Sequence, residues 1–381
     1  MSPAPKKRAK RRAAKPAVVK TDAENASGLL RWMGIAFLVL LAITLLGVYV
    51  AYPRSRGPGP GAAVHFEVQT TDPDALAEQL GSAGVVASPR VFAWYMRLTA
   101  ASRSIVLGQH YLSDDLTPGE LLRRLERRGA EHTKIVIPEG WTRFDIANRL
   151  DAARVCPLRG FLTATEDREL LGELHVPIDP AHPSAEGFLF PATYDLELDS
   201  DPREIVRRMV RQFDKRYAAL EEKHDAGIKD LEDSLHWGKR EIVTLASMVE
   251  KEAAVDDERP IIASVFLNRL RDPSFSPKKL QCDPTAGYGC LVGNPPPPAC
   301  RSYDGKVTHE INVDPENTYS TYVHEGLPPG PIANPGAKSI EAVMSPSLTH
   351  YFYFVAKGGG RHTFSETLGA HNAAVHGDAG E

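Results

Sequence analysis

The sequence predicts an α+β protein: an N-terminal transmembrane helix, a small βαβ-type module, and a larger α+β domain that ends in a β-hairpin. Three patterns in the 381 residues carry that prediction. An uncharged apolar run occupies residues 32–53. Two strand-then-capped-helix units lie between about 64 and 153. Long amphipathic helix patterns and one hairpin signature follow. The boundaries read as a basic tail at 1–30, the membrane helix at 31–53, a linker at 54–62, the module at 63–154 and the larger domain at 155–381.

The apolar run reads MGIAFLVLLAITLLGVYVA at its centre, with Trp32, Tyr49 and Tyr52 toward its ends. About 20 such residues cross the hydrocarbon layer, and Trp and Tyr suit its interfaces. A cleaved signal peptide would need only roughly 7–15 apolar residues. Of the 45 basic and 49 acidic residues, nine and two lie in residues 1–31. Basic residues before a span hold that end in the cytoplasm, so the bulk of the chain is expected outside it. That bulk keeps 36 basic and 47 acidic residues. Such a balance argues against a nucleic-acid partner, which needs a basic face. Residues 53–62, PRSRGPGPGA, read as a Pro/Gly linker.

In the module, strands are expected at 64–68 and 105–112 and helices at 72–80 and 89–98, the second with Ser88 as N-cap and Pro89 at its first position. Thr117-Pro118-Gly119-Glu120 is a capping box that opens a helix with Leu121, Leu122 and Leu125 inside. The pattern recurs as a strand at 134–137, then a helix capped by Thr142 and Asp145 that carries Ile146 and Leu150. No cluster of catalytic side chains falls here, which leaves a binding or positioning role.

The larger domain begins irregularly around 186–194. Helices are expected at 202–224 and 239–254, and a third opens with Asp256 or Asp257 as N-cap and Pro260 in its first turn. Residues 271–338, rich in Pro and Gly, read as loop. Residues 351–364, turning at Gly358-Gly359-Gly360, read as a β-hairpin. A short helix at 368–375 closes the chain. Of Cys156, Cys282, Cys290 and Cys300, the last two bracket the turn-rich GNPPPPA, which favours their pairing; four reduced thiols is the alternative, and the spacings lack the CxxC pairs of zinc sites.

The helix from Glu241 to Ala253 carries the chemistry. At about 100° per residue, Ile242, Leu245, Met248 and Val249 share one face, and Glu252 continues it, while Glu250 falls on the opposite flank near Val243. A carboxyl on an apolar face is costly when charged, so its pKa rises toward what a general acid needs. An exposed Glu on a frayed last turn is the alternative. His309-Glu310 and His324-Glu325 lack the second histidine of HExxH, and no GxSxG elbow, P-loop or dinucleotide fingerprint occurs.

Taken in order, IPEG at 137–140, EGFLFPATY at 186–194, LASMVEKEA at 245–253, ASVFLNRL at 263–270, LQCDPT at 280–285, GLPPGPIANPG at 326–336 and YFYFVAKGGGRHTFSETLGAHN at 351–372 make the chain resemble the endolytic murein transglycosylase family, MltG or YceG-like. The resemblance implies a LysM-like module at about 64–153 and a periplasmic catalytic domain, anchored in the inner membrane by a single span. It implies that Glu252 is the catalytic residue and that Glu186, Asn268, Gln281, Asp283, Tyr319 and Ser320 lie in motifs lining a glycan groove. Two departures stand out. Ser320 occupies a position where the family pattern has Asn, with a shorter reach, and the segment 289–314 is expanded and carries two cysteines.

The implied activity cleaves nascent peptidoglycan strands at the MurNAc–GlcNAc β-1,4 bond, leaves 1,6-anhydro-MurNAc ends and limits strand length, with no cofactor or metal and with cell-wall synthases as neighbours. The alternatives are a hydrolytic muramidase, which needs a second carboxylate and could draw on Asp283, and a non-catalytic, membrane-tethered glycan-binding scaffold.

Overall fold

The computed structural model describes residues 32–33, 35–40, 43, 46, 50–126, 132–180 and 182–377. Much of the predicted membrane helix at 31–53, and the basic tail, therefore lie outside the described residues. Among the described residues no helix is long and apolar enough to cross a membrane. Contacts divide the chain into Met1–Ser55 and Arg56–Glu381, each compact in itself.

The second unit is mixed α+β, with three two-stranded antiparallel sheets among many helices. β1 (Ala63–Val68) pairs with β2 (Gly108–Ser113), Val64 opposite Leu112. Between them run α1 (Pro73–Ser82) and α2 (Pro89–Thr99), which bury Leu76, Leu80, Phe92 and Met96. Asp72 caps α1 through its side chain, whereas Ser88 makes no capping bond to α2. Both predicted capping boxes form: Thr117 with Glu120 at α3 (Pro118–Leu125), and Thr142 with Asp145 at α4 (Arg143–Ala152). β3 (His132–Val136) finds its partner well beyond the module, in β4 (Thr193–Glu197), within the stretch read as irregular. Buried Arg124 ion-pairs with Asp151 and Asp199.

The domain core forms around α9. Leading to it are α5 (Leu158–Thr165), α6 (Arg168–Glu173), α7 (Pro202–Lys223) and α8 (Asp225–Leu235). In α9 (Lys239–Glu252) every residue from Ile242 to Val249 is buried. A helix apolar on all sides belongs inside a protein. Its polar members are satisfied: the Ser247 hydroxyl donates to Thr244 O at 2.7 Å and accepts from Ile332 N–H at 3.0 Å. α10 (Arg259–Arg271) packs against α9.

Three features depart from the sequence expectation. Asp256–Glu258 form a 3₁₀ turn, so Glu258 takes the N-cap position of α10, without a capping bond. The stretch read as loop holds α11 (Asp283–Val292) and α12 (His309–Val313). Gly287 and Gly289 hide α11, since glycine disfavours helix interiors. Here they are packing residues: a Cβ on Gly287 would strike Tyr303 and Val307, and one on Gly289 would strike Asn317. Finally, α13 (Ala337–Met344) seats against α9 and α10.

Cys290 and Cys300 are disulfide-bonded, and Cys156 and Cys282 are free and buried. The hairpin is β5 (Tyr353–Gly358) and β6 (Arg361–Ser365), with Phe354 opposite Phe364, followed by α14 (Leu368–Gly377). Phe354 meets Phe266 of α10 edge to face at 5.9 Å, which fixes the hairpin beside the end of α9.

Candidate active site

The three charges that end α9 go three ways. The Glu250 side chain is 6% exposed and accepts from Arg259 Nη1 at 3.1 Å, Gly336 N–H at 3.0 Å and Ser339 Oγ at 2.7 Å. The face argument separates it from Glu252 but does not show these partners. A buried carboxylate persists when charge and hydrogen bonds compensate it, and these three partners do so. Lys251 is exposed, with Nζ 3.4 Å from Gly140 O.

Glu252 is half-buried at the last helical position. Desolvation raises its pKa above the usual carboxyl range, and the charge of Asp283 adds to this; a hydrogen bond from Cys282 and the charges of His362 and Arg269 oppose it. A helix C-terminus is also the end least hospitable to an anion. The carboxyl thus meets the requirement for a group that gives a proton and then takes one back.

The segment 280–283 forms the facing wall and is tied down residue by residue. Arg269 Nη1 donates to Leu280 O. Gln281 N–H donates to Thr321 O at 3.1 Å and Cys282 N–H to Thr321 Oγ1 at 3.0 Å. Gln281 holds φ at +51°, a left-handed conformation uncommon outside glycine, and its side chain is exposed. Asp283, also exposed, accepts from Asn312 Nδ2 at 2.9 Å and from Tyr322 OH at 2.6 Å. Burial and the neighbouring Glu252 push the Cys282 thiol well up, which keeps it a donor.

The other expected residues are braces in this geometry. Ser320 is fully buried, and its hydroxyl donates to Asn312 O, one link behind Asp283. Tyr319 is buried against Tyr288, ring centroids 5.1 Å apart. Asn268 Nδ2 donates to Thr349 O and Tyr351 O, each at 3.0 Å, and holds α10 to the approach of β5. Glu186 is 2% exposed and belongs to a separate network. Its oxygens accept from Arg143 N–H at 3.0 Å, Tyr288 OH at 3.0 Å and Asn334 Nδ2 at 2.7 Å. Burial pushes its pKa up to about 7 against the pull of those donors. The structure therefore brings Asp283 to Glu252, keeps Gln281 on the same wall, and sets Glu186 apart.

Cys282, Arg269 and His362 were not singled out from sequence, although each falls inside a motif quoted above. Arg269 is buried, with its guanidinium 5.6 Å from the Phe275 and Tyr353 ring centroids and Nε donating to Phe352 O at 2.6 Å. Helical periodicity cannot reveal such partners, because they come from other elements.

Comparison with known proteins agrees over nearly the whole unit. The profile of the YceG-like family matches residues 66–377. A Bacillus subtilis (strain 168) protein named endolytic murein transglycosylase is 29% identical over 313 residues, 79% of this chain and 80% of that protein. A protein of the same name from Streptococcus pneumoniae serotype 2 (strain D39) is 27% identical over 352 residues, 84% of this chain but 60% of that one. A crystal structure of a YceG-like protein from Listeria monocytogenes aligns with TM-score 0.50 and 26% identity, covering 82% of this chain and 99% of that one. The chain belongs to the YceG-like family.

Proposed function

We propose that this chain is an endolytic lytic transglycosylase of peptidoglycan, with Glu252 as its acid and base. The observation that carries the reading is the Glu252 carboxyl itself, half-buried, raised in pKa and facing a wall that exposes Gln281 and Asp283. The names of the Bacillus and Streptococcus relatives supply the substrate class.

In the proposed reaction, Glu252 protonates the glycosidic oxygen as its bond to the MurNAc anomeric carbon breaks. The resulting carboxylate removes the proton from the C6 hydroxyl of the same sugar, and that oxygen attacks the anomeric carbon. Glu252 regains its proton, a 1,6-anhydro-MurNAc end forms, and no water is consumed. One carboxyl used twice suits a pKa held above the ordinary range. Asp283 and Gln281 are the residues placed to meet sugar, while Glu186, Asn268, Tyr319 and Ser320 support the walls.

The same proposal places the chain in the inner membrane by a single span at 31–53, N-terminus cytoplasmic and the rest periplasmic. The uncharged run and its basic flank support this, as does the exposure of Trp32, Phe37, Leu38 and Leu40. Residues 63–154, whose β1-α1-α2-β2 order suits a LysM-like unit, would bind glycan. A tethered site reaches strands near the membrane, which favours cuts that limit nascent strand length beside the synthases. The test is cleavage of purified glycan strands by the full chain in detergent. Glu252→Gln should bind strands and release no fragments; fragments at the parent rate would remove Glu252 as acid and base, and a parent chain that releases none would return the chain to the scaffold reading.

A further inference from the structure

Glu258 and His362 are a buried pair outside the reaction described so far. Glu258 Oε2 lies 2.8 Å from His362 Nδ1, and Oε1 accepts the His362 backbone N–H at 3.2 Å. The two side chains are 6% and 11% exposed. A carboxylate only accepts, so Nδ1 carries a proton toward Glu258 and the Nε2 edge of the ring is the one turned elsewhere. Glu258 makes this contact from the N-cap position of α10, where it makes no capping bond. Its carboxylate is directed to β6 instead. Gly360, at the turn of the same hairpin, lies against Ala254: a Cβ there would be 3.1 Å from that of Ala254, two residues beyond Glu252. The hairpin that carries His362 is thus seated on the end of α9.

We propose that Glu258 and His362 are a positioning pair for Glu252: the buried carboxylate fixes the imidazole's tautomer and place, and the imidazole offsets the charge that Glu252 gains when it gives up its proton. The inference rests on the acid–base reading of Glu252. The charged and titratable groups set against Glu252 are Cys282 and Asp283 from the facing wall, Tyr322 behind Asp283, Arg269 from α10 and His362 from β6. On its own helix, Glu250 is taken up by Arg259 and Lys251 points out. His362 in turn faces Glu258, with Arg361 paired to Asp257 at 3.0 Å and 3.6 Å from Glu258, and packs its ring on Phe354 and Phe364. His362 and Arg269 are the groups whose charge opposes the desolvation of Glu252. Arg269 is held by the Phe352 and Leu280 carbonyls and the Phe275 and Tyr353 rings, whereas the imidazole is held at Nδ1 by Glu258 alone among the described residues.

The test is His362→Asn in the full chain. The Asn amide can replace Nδ1 as donor to Glu258, so the clamp survives while the other ring edge is lost. Expected are a melting temperature near the parent's, an unchanged KM, kcat lower by about tenfold, and the Glu252 limb of the kcat–pH profile moved up by about half a pH unit. Parent kcat with an unmoved limb would make the pair a structural clamp and overturn the proposal. If His362→Asn also melts early, His362→Ala with added imidazole decides: a restored rate supports the pair, and no restoration overturns it. Glu252→Gln is assayed alongside. Full activity in that variant sinks the reading of Glu252 itself, whereas an inactive Glu252→Gln with an unaltered His362→Asn sinks the pair alone.

Discussion

The Cys282 thiol, fully buried at the N-cap of α11, lies against the Glu252 carboxyl and lowers its pKa as a donor. It couples Glu252 at the end of one helix to segment 280–283 at the start of another. A donor to a carboxyl favours the charged form, so the thiol holds Glu252 below the pKa that burial alone would impose.

Cys282→Ala should therefore raise the Glu252 pKa and move the corresponding limb of the kcat–pH profile to higher pH. The expected effect on the charged form is about 1 kcal/mol, the usual net worth of such a bond. Cys282→Ser keeps a donor and should stay close to the parent. The pH–rate profiles of the two variants check this; equal profiles for alanine and cysteine would remove the thiol from the site.

Glu250 and Glu252 should separate cleanly by phenotype. Glu250→Ala removes the buried partner of Arg259 and leaves it the exposed Asp256 and the Ser339 hydroxyl, at a cost of about 3 kcal/mol, so denaturant unfolding should shift clearly. Glu252→Gln removes a group whose pKa is raised in the folded state. Such a group stabilises the fold fully below its unfolded pKa and loses that contribution as pH rises through its folded one. The Gln variant should thus match or exceed parent stability near neutral pH while losing activity. Melting curves across pH read both.

Glu186 sets a second pH dependence. Its folded pKa of about 7 lies above the usual carboxyl value, so its contribution is complete in acid and declines as pH rises through about 7. The amount at stake is on the order of a few kcal/mol. Thermal unfolding should show greater stability near pH 5 than near pH 8, and Glu186→Ala should flatten that slope. An unchanged slope would mean that other groups set it.

The Cys290–Cys300 disulfide closes a loop beside the support of Asp283. Asp314 accepts from Ala299 N–H at 2.9 Å, and Asn312, two residues earlier, holds Asp283. With the cysteines ten positions apart, chain entropy assigns the bond about 3 kcal/mol. The double variant Cys290→Ser/Cys300→Ser should lower the melting temperature and raise KM more than it lowers kcat. Steady-state kinetics on glycan strands would show the split.

Features encoded locally were legible in the sequence. The boxes of Thr117 with Glu120 and Thr142 with Asp145 need only three residues' spacing. The hairpin at 353–365 and the pairing of Cys290 with Cys300 need one short loop each. What depends on distant contact was not legible. β4 shows as a strand only beside β3, and α11 tolerates two glycines only because Tyr303 and Asn317 press on them. Glu258 looks like part of an acidic helix start until it meets His362, 104 residues away. Periodicity sets Glu252 apart from Glu250 because one helix decides it. The surrounding Cys282, Arg269 and His362 arrive from three other elements.

The central claim is that one carboxyl, Glu252, serves as acid and then as base to the same sugar. Mass spectrometry of fragments released from purified glycan strands tests it most directly. The account predicts 1,6-anhydro-MurNAc ends, with no oxygen incorporated from labelled water. Reducing ends carrying that oxygen would contradict it and make the chain a hydrolase.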